Sequence, residues 1–330
     1  MFKDKNILIT GGTGSFGKEF VKYLLKNCDP KRVVIFSRDE FKQYEMAQEF
    51  GGDRRLRFFL GDVRDKDRLY RAFYGIDYVV HAAALKQVPA AEYNPFEVIK
   101  TNILGAQNVI EACIDNNVKK VVALSTDKAA IPINLYGATK LCSDKLFVAG
   151  NSYAGGRVTR FGVVRYGNVL GSRGSVLPLF LKQKKEGVVT ITHKDMTRFW
   201  ITLPQAVELV VKAFKYMTGG EIFVPKIPSM KMIDFAKAIA PEAEIREMGI
   251  RPGEKMHEVM IPEDDARHTR EYDDHYRIIP EFLDWKAPKE FGNGGKPLPE
   301  GFSYRSDNNS WWLTEQELLK IIDELGLNAI

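Results

Sequence analysis

The sequence predicts a doubly wound α/β fold, a mostly parallel sheet with a second, smaller and discontinuous α/β part, on three observations. The first half alternates short apolar, β-rich runs with amphipathic helical stretches, and strands separated by helices need crossovers and therefore parallel pairing. The first β-rich run opens directly into a glycine loop, GGTGSFG. The length of 330 residues suits about two domains.

The strands follow in order: NILIT (6–10), VVIF (33–36), LRFFLGD (56–62), YVVHAA (78–83), KVVALST (120–126) and FGVVRYG (161–167). Helices fit between them, for example over 16–26 and 101–116. After Tyr166 the glycines and proline of SRGSVLPLFLKQKKEG (172–187) break the alternation. A helix over 205–216, a strand GEIFV (220–224) and a helix over 230–240 come next. Residues 262–309 are polar and rich in Pro and Gly, and read as a long surface excursion. Thr314 and Glu317 form a T-x-x-E capping box that opens a last helix. The expected division is a Rossmann dinucleotide-binding domain from 1–166 plus a returning segment near 195–220. The second domain then takes 167–194 and 221–330, with the ligand cleft at the carboxyl ends of the strands.

Composition narrows the classes. Apolar runs such as VELVV (207–211) fall far short of the roughly 20 residues of a membrane span, and no secretion signal is legible. No membrane association and a cytoplasmic location are expected. The three cysteines (28, 113 and 142) are far apart and the five histidines scattered, so neither a disulfide framework nor a metal site is expected. The net charge of +5 is spread along the chain. It suits a polyanionic small molecule and marks no nucleic-acid tract.

Gly11, Gly14 and Gly17 form G-x-x-G-x-x-G between strand and helix. This is the context in which backbone amides and a helix N-terminus hold a dinucleotide phosphate, with Thr13, Ser15 and Phe16 completing the loop. At the end of the second strand, Ser37, Arg38 and Lys42 favour a 2′-phosphate and so NADP, while Asp39 keeps NAD open. Asp62 and Val63, in GDV, fall where a carboxylate meets an adenine. Ala82, Ala83 and Ala84 line the cofactor from the fourth strand. Tyr136 and Lys140, in YGATK, share one helix face. A cation there is expected to lower the tyrosine pKa, so that the tyrosinate takes a proton from a sugar hydroxyl while hydride leaves to nicotinamide.

With the glycine loop, HAAA (81–84), the Ser/Thr-Tyr-Lys set and RPGEKMHE (251–258), the chain resembles the extended short-chain dehydrogenase/reductase family over nearly its whole length. STDKAA (125–130) and HAAALKQVP (81–89) resemble its 4,6-dehydratases that act on UDP-N-acetylglucosamine with inversion at C5. These open the route to pseudaminic acid, used to glycosylate flagellin. The resemblance implies that Asp127 and Lys128, next to Thr126, form a second acid/base pair: Lys128 the base at C5, Asp127 the acid for the C6 hydroxyl. A neutral Lys128 is expected from desolvation and a nearby Lys140 ammonium, with a role as cationic proton donor as the alternative. Retaining dehydratases carry Asp-Glu at this place.

The resemblance also implies a substrate grip. Lys86 stands at the cleft mouth, Asn168 and Val169 follow the sixth strand, and Ser175, Val176 and Leu177 begin a uracil-facing loop. Thr197, Arg198, Arg251 and Glu254 hold the nucleotide, with Arg suited to diphosphate. Homo-oligomers, dimers or hexamers, are implied. Rival readings are a UDP-sugar 4-epimerase, a bifunctional dehydratase/5-epimerase, and a non-catalytic NADP-sensing protein.

Overall fold

The computed structural model describes residues 1–281 and 294–327. Each early apolar run forms a strand, β1 (Asn6–Thr10), β2 (Arg32–Ser37), β3 (Leu56–Leu60), β4 (Tyr78–His81), β5 (Lys120–Thr126) and β6 (Arg160–Tyr166), largely buried except for the edge strand β3. They pair in parallel in the order 3-2-1-4-5-6, which bears out the doubly wound expectation. The intervening helices are α1 (Ser15–Asn27), α2 (Glu40–Glu49), α3 (Lys66–Phe73), α4 (Val88–Tyr93), α5 (Pro95–Ile99), α6 (Gly105–Asp115) and α7 (Leu135–Tyr153). The helix expected over 101–116 is in part a π-turn, Lys100–Leu104, ahead of α6.

Beyond β6 the chain forms β7 (Asn168–Val169), α8 (Val176–Glu186), β8 (Val188–Ile191), β9 (Thr197–Ile201), α9 (Leu203–Tyr216), β10 (Ile222–Pro225), β11 (Ser229–Lys231), α10 (Met232–Ile239), β12 (Glu244–Glu247) and β13 (Val259–Ile261). After these come α11 (Glu263–Ala266), β14 (Thr269–Glu271), β15 (His275–Ile278), β16 (Lys296–Pro297), β17 (Tyr304–Arg305) and α12 (Glu315–Glu324).

Two expectations change here. The surface excursion over 262–309 instead carries strands: β15 pairs antiparallel with β10, β14 with β15 and β16 with β14, extending the main sheet to ten strands among the described residues. Its 282–293 stretch lies outside the described residues. The boundary at 221 does not follow the sheet either, because β10, β14, β15 and β16 all belong to it. Strands β14, β15 and β16 are two to four residues long and carry charged side chains, so no alternation marks them.

Two large apolar cores form among the described residues, beside a small cluster of Ala91, Val98 and Tyr136. One lies against the large sheet, under α1, α6 and α9. The other joins α8, β9, α10 and α12, where Trp200 stacks on Phe235 with ring centroids 4.5 Å apart. Helix α12 closes this second core with Leu318 and Ile322, and its Thr314/Glu317 capping box forms as expected. Thr314→Ala should lower stability by about 1 kcal/mol, read as a lower denaturation midpoint that Thr314→Ser restores.

Candidate active site

The turn from β1 to α1 must press close to the end of β4. A Cβ on Gly11 (φ +65°) would sit 2.9 Å from the Ala83 backbone, and one on Gly17 would sit 2.3 Å from the Gly12 carbonyl oxygen. Glycine alone satisfies both constraints. The α1 N-cap is Gly14, which supplies no capping side chain, so first-turn amides remain free at the cleft. That cradle fits a dinucleotide phosphate.

A cleft of about 720 Å³ opens there, at the carboxyl ends of the sheet strands. All the residues expected at the cofactor line it: Gly11, Thr13, Gly14, Ser15, Phe16, Gly17, Ser37, Arg38, Lys42, Asp62, Val63, Ala82, Ala83, Ala84, Tyr136 and Lys140. Asp39 does too, but it caps α2 through the Lys42 amide (3.0 Å) and pairs with the Lys42 ammonium (2.7 Å). Arg38, half-exposed, has Asp62 at 3.7 Å.

A second cavity of about 510 Å³ shares Asn168, Gly174, Ser175 and Val176 with the cleft and reaches Arg198, Arg251 and Glu254. Lys86, Thr126 and Val169 line the first space. Two expected substrate residues do not reach either. Leu177 is fully buried in the second core, because 176–186 is a helix rather than a loop and the residue falls on its inner face. Thr197 is buried and spends its hydroxyl on His257 Nδ1 (2.8 Å) and Ser306 Oγ (2.6 Å). Ser175 and Val176 keep their place at the cavity, as N-cap and first residue of α8.

The catalytic candidates converge where the spaces meet. Tyr136 and Lys140 both face the cleft from α7. Burial pushes the Tyr136 phenol up to about 12, against opposing pulls from the Lys128 charge and a Thr126 hydrogen bond. The expected lowering is therefore absent here, and the cation that acts on Tyr136 is Lys128. Burial lowers the Lys140 ammonium, with Asp144 opposing.

Asp127 and Lys128 sit in a short 3-10 turn after β5. That turn sends Asp127 inward, with no exposed surface, and Lys128 toward the cleft. Asp127 therefore does not line the cleft. Its Oδ1 accepts from Thr126 Oγ1 (2.9 Å) and from Lys128 Nζ (3.0 Å), and its Oδ2 has no hydrogen-bond partner. Burial and the negative charge of Glu258 push the Asp127 carboxyl up despite Lys128.

Lys128 also departs from expectation. Burial pulls its ammonium down, but Asp127 and Glu258 outweigh burial and hold it above the ordinary lysine value. Lys140, expected to help neutralise it, is not among the charges that act on it most.

Glu258 is the residue sequence reasoning missed. Its Oε1 lies 3.1 Å from Lys128 Nζ and 3.7 Å from Arg198 Nε, and its Oε2 lies 3.8 Å from Lys255 Nζ. The available signal was a charge immediately before the apolar run VMI (259–261), which becomes buried β13. Arg198 is fixed by Thr197 O (2.8 Å), Met256 O (3.2 Å) and Glu254 Oε1 (3.3 Å).

Residues 7–280 match the sequence profile described as polysaccharide biosynthesis protein. The chain belongs to that family. It is 57% identical over 330 residues to a UDP-N-acetylglucosamine 4,6-dehydratase (inverting) of Campylobacter jejuni, covering 98% of each chain. It is 43% identical to a UDP-glucose 4-epimerase of Rickettsia conorii, covering 98% of this chain and 97% of that one. Among solved structures it resembles Pen from Bacillus thuringiensis, with a TM-score of 0.88 and 42% identity, covering 98% and 99% of the two chains. The family assignment agrees with the resemblance to extended short-chain dehydrogenase/reductases, and the sheet agrees with the fold it implied.

Gly17→Ala should cost about 1–3 kcal/mol, because its methyl meets backbone. The same variant should weaken nicotinamide dinucleotide binding, as measured by thermal unfolding and fluorescence titration.

Proposed function

We propose that the protein is a UDP-N-acetylglucosamine 4,6-dehydratase that inverts C5, producing a UDP-2-acetamido-2,6-dideoxy-4-hexulose of L-arabino configuration. The observation that carries this reading is the Asp127–Lys128 pair. It sits beside Tyr136, where the dinucleotide cleft meets a cavity lined by Arg198, Arg251 and Glu254. A 4-epimerase needs Tyr136 and Lys140 but no second acid/base pair. The 57% identity to the inverting dehydratase supports the same choice. On this reading the substrate-binding part is built around the second core, and the product enters pseudaminic acid synthesis.

NADP is the proposed cofactor. Asp39, the carboxylate suited to a ribose diol, is already occupied by Lys42, while Arg38 remains half-exposed at the cleft. When bound, the nicotinamide ring supplies the hydride acceptor for C4 and the hydride donor for C6, and its positive charge favours tyrosinate.

The chain's own groups carry the protons. Tyr136 takes the O4 proton. The Asp127–Lys128 ion pair is one proton transfer from its neutral form, and substrate that excludes water favours that form, because charges cost more as the dielectric falls. The neutral Lys128 amine then removes the C5 proton, acidified by the C4 ketone. The hydroxyl at C6 leaves as water with a proton from the same couple, and C5 takes a proton of solvent origin on the face opposite Lys128, which inverts it, while the O4 proton held by Tyr136 passes to solvent. Asp127, which lies under the cleft floor, acts through Lys128 and Thr126. Overall the substrate loses one water, with its O4 proton balancing the departing hydroxide.

Incubation with UDP-N-acetylglucosamine in deuterated water should give a product lighter by one water that carries deuterium at C5 by NMR. A 4-epimer of unchanged mass would overturn the proposal. Lys128→Ala should keep C4 oxidation, seen as reduced cofactor absorbance, but lose water elimination by at least about 100-fold. Arg38→Ala should weaken NADP binding about tenfold or more while leaving NAD binding nearly unchanged, consistent with the loss of a charge-assisted contact.

A further inference from the structure

We propose that Glu258 is a positioning residue for the proton chemistry: its carboxylate anchors the Lys128 amine at the cleft and joins it to the arginine of the nucleotide cavity. The inference rests on the dehydratase reading and adds a third member to its acid/base group.

The geometry is specific. Lys128 Nζ lies between two carboxylates, 3.0 Å from Asp127 Oδ1 and 3.1 Å from Glu258 Oε1. It also donates a 3.4 Å hydrogen bond to Asn168 Oδ1. One carboxylate holds an amine loosely, whereas two on different chain segments define its direction. The Glu258 side chain is almost wholly buried, at 2% exposure, and its Oε2 has no hydrogen-bond partner. A buried carboxylate costs several kcal/mol unless cations compensate it, and Lys128, Arg198 and Lys255 supply that compensation.

The segment does not need this carboxylate to stay in place. The Glu258 amide donates to Ser306 Oγ (2.9 Å), and its carbonyl accepts from the Ser306 amide (2.9 Å). Lys255 Nζ donates to Ala130 O (2.6 Å), and Asn134 Nδ2 donates to Gly253 O (2.8 Å), tying 251–258 to the turn that carries Lys128. Arg198 likewise keeps Thr197, Met256 and Glu254 without Glu258. Loss of this one charge therefore falls mainly on Lys128.

Around Lys128 stand Asp127 from its own turn, Glu258 and Lys255 from 251–258, Arg198 from β9, Lys86 from the loop after β4, and Tyr136 from α7. Without Glu258, Asp127 is the one carboxylate of this group left to offset Lys255, Arg198 and Lys86 around the Lys128 amine. The amine then loses its proton more readily and is less well aimed.

The test is trace acetylation of the intact protein with acetic anhydride, quantified by mass spectrometry. Lys128 keeps a quarter of its side chain accessible, and exposed Lys320 serves as the internal reference. Glu258→Gln should raise the relative labelling of Lys128 at pH 8 about tenfold or more, since one pKa unit is a tenfold change in free amine. In turnover the same variant should lower kcat at least tenfold with KM changed less than threefold. Unchanged labelling, or an equal loss in KM, would overturn the proposal. Should Glu258→Gln fail to fold, Lys255→Met removes a neighbouring cation instead and should slow Lys128 labelling; no slowing would overturn the proposal. Labelling requires no catalysis, so a wild-type protein that released no water from UDP-N-acetylglucosamine would defeat the dehydratase reading separately.

Discussion

One lysine ammonium held between two buried carboxylates is the interaction on which the site depends. Charges removed from water must be matched almost one for one. The demand of Asp127 and Glu258 for cations draws together the turn after β5, strand β9 and the 251–258 segment. None of these pieces is adjacent in sequence. On the proposed reading, the reactive neutral form of Lys128 is one proton transfer from the ion pair. Burial favours neutral Asp127, whereas the two carboxylates favour charged Lys128.

The cofactor side obeys a different constraint, one of space rather than charge. Backbone must approach backbone where β1 turns beneath the end of β4, so side chains are excluded at Gly11 and Gly17. The tight β1–α1 turn at the switch point between β1 and β4 thus depends on the absence of Cβ atoms. That pattern is local, lies at the start of the chain and is written in residue type, which makes it easy to read.

Legibility followed that difference. Strand β5 begins and ends where its apolar run does, the capping box on α12 formed, and every residue expected at the dinucleotide lines the cleft. These features depend on short-range patterns. Leu177 and Thr197 were misplaced because position within a helix or strand, not residue type, decides which way a side chain points. Asp127 and Lys128 are neighbours, yet a tight turn sends one under the floor and the other into the cleft. Glu258 was hard to read because two of its three cationic partners come from residues 60 and 130 positions away, and no spacing rule reaches so far. The short edge strands were hidden for a related reason: they borrow their pairing from β10 instead of announcing themselves by alternation.

Those late strands bear on the order of events at the ribosome. The sheet edge at β10 is covered only when β15 arrives some fifty residues later, and β14 in turn waits for β16. During synthesis the nascent chain therefore carries an open, hydrogen-bond-hungry margin after its first six strands have assembled. The intervening stretch builds the second core meanwhile, so vectorial folding leaves the sheet as the first part begun and among the last completed.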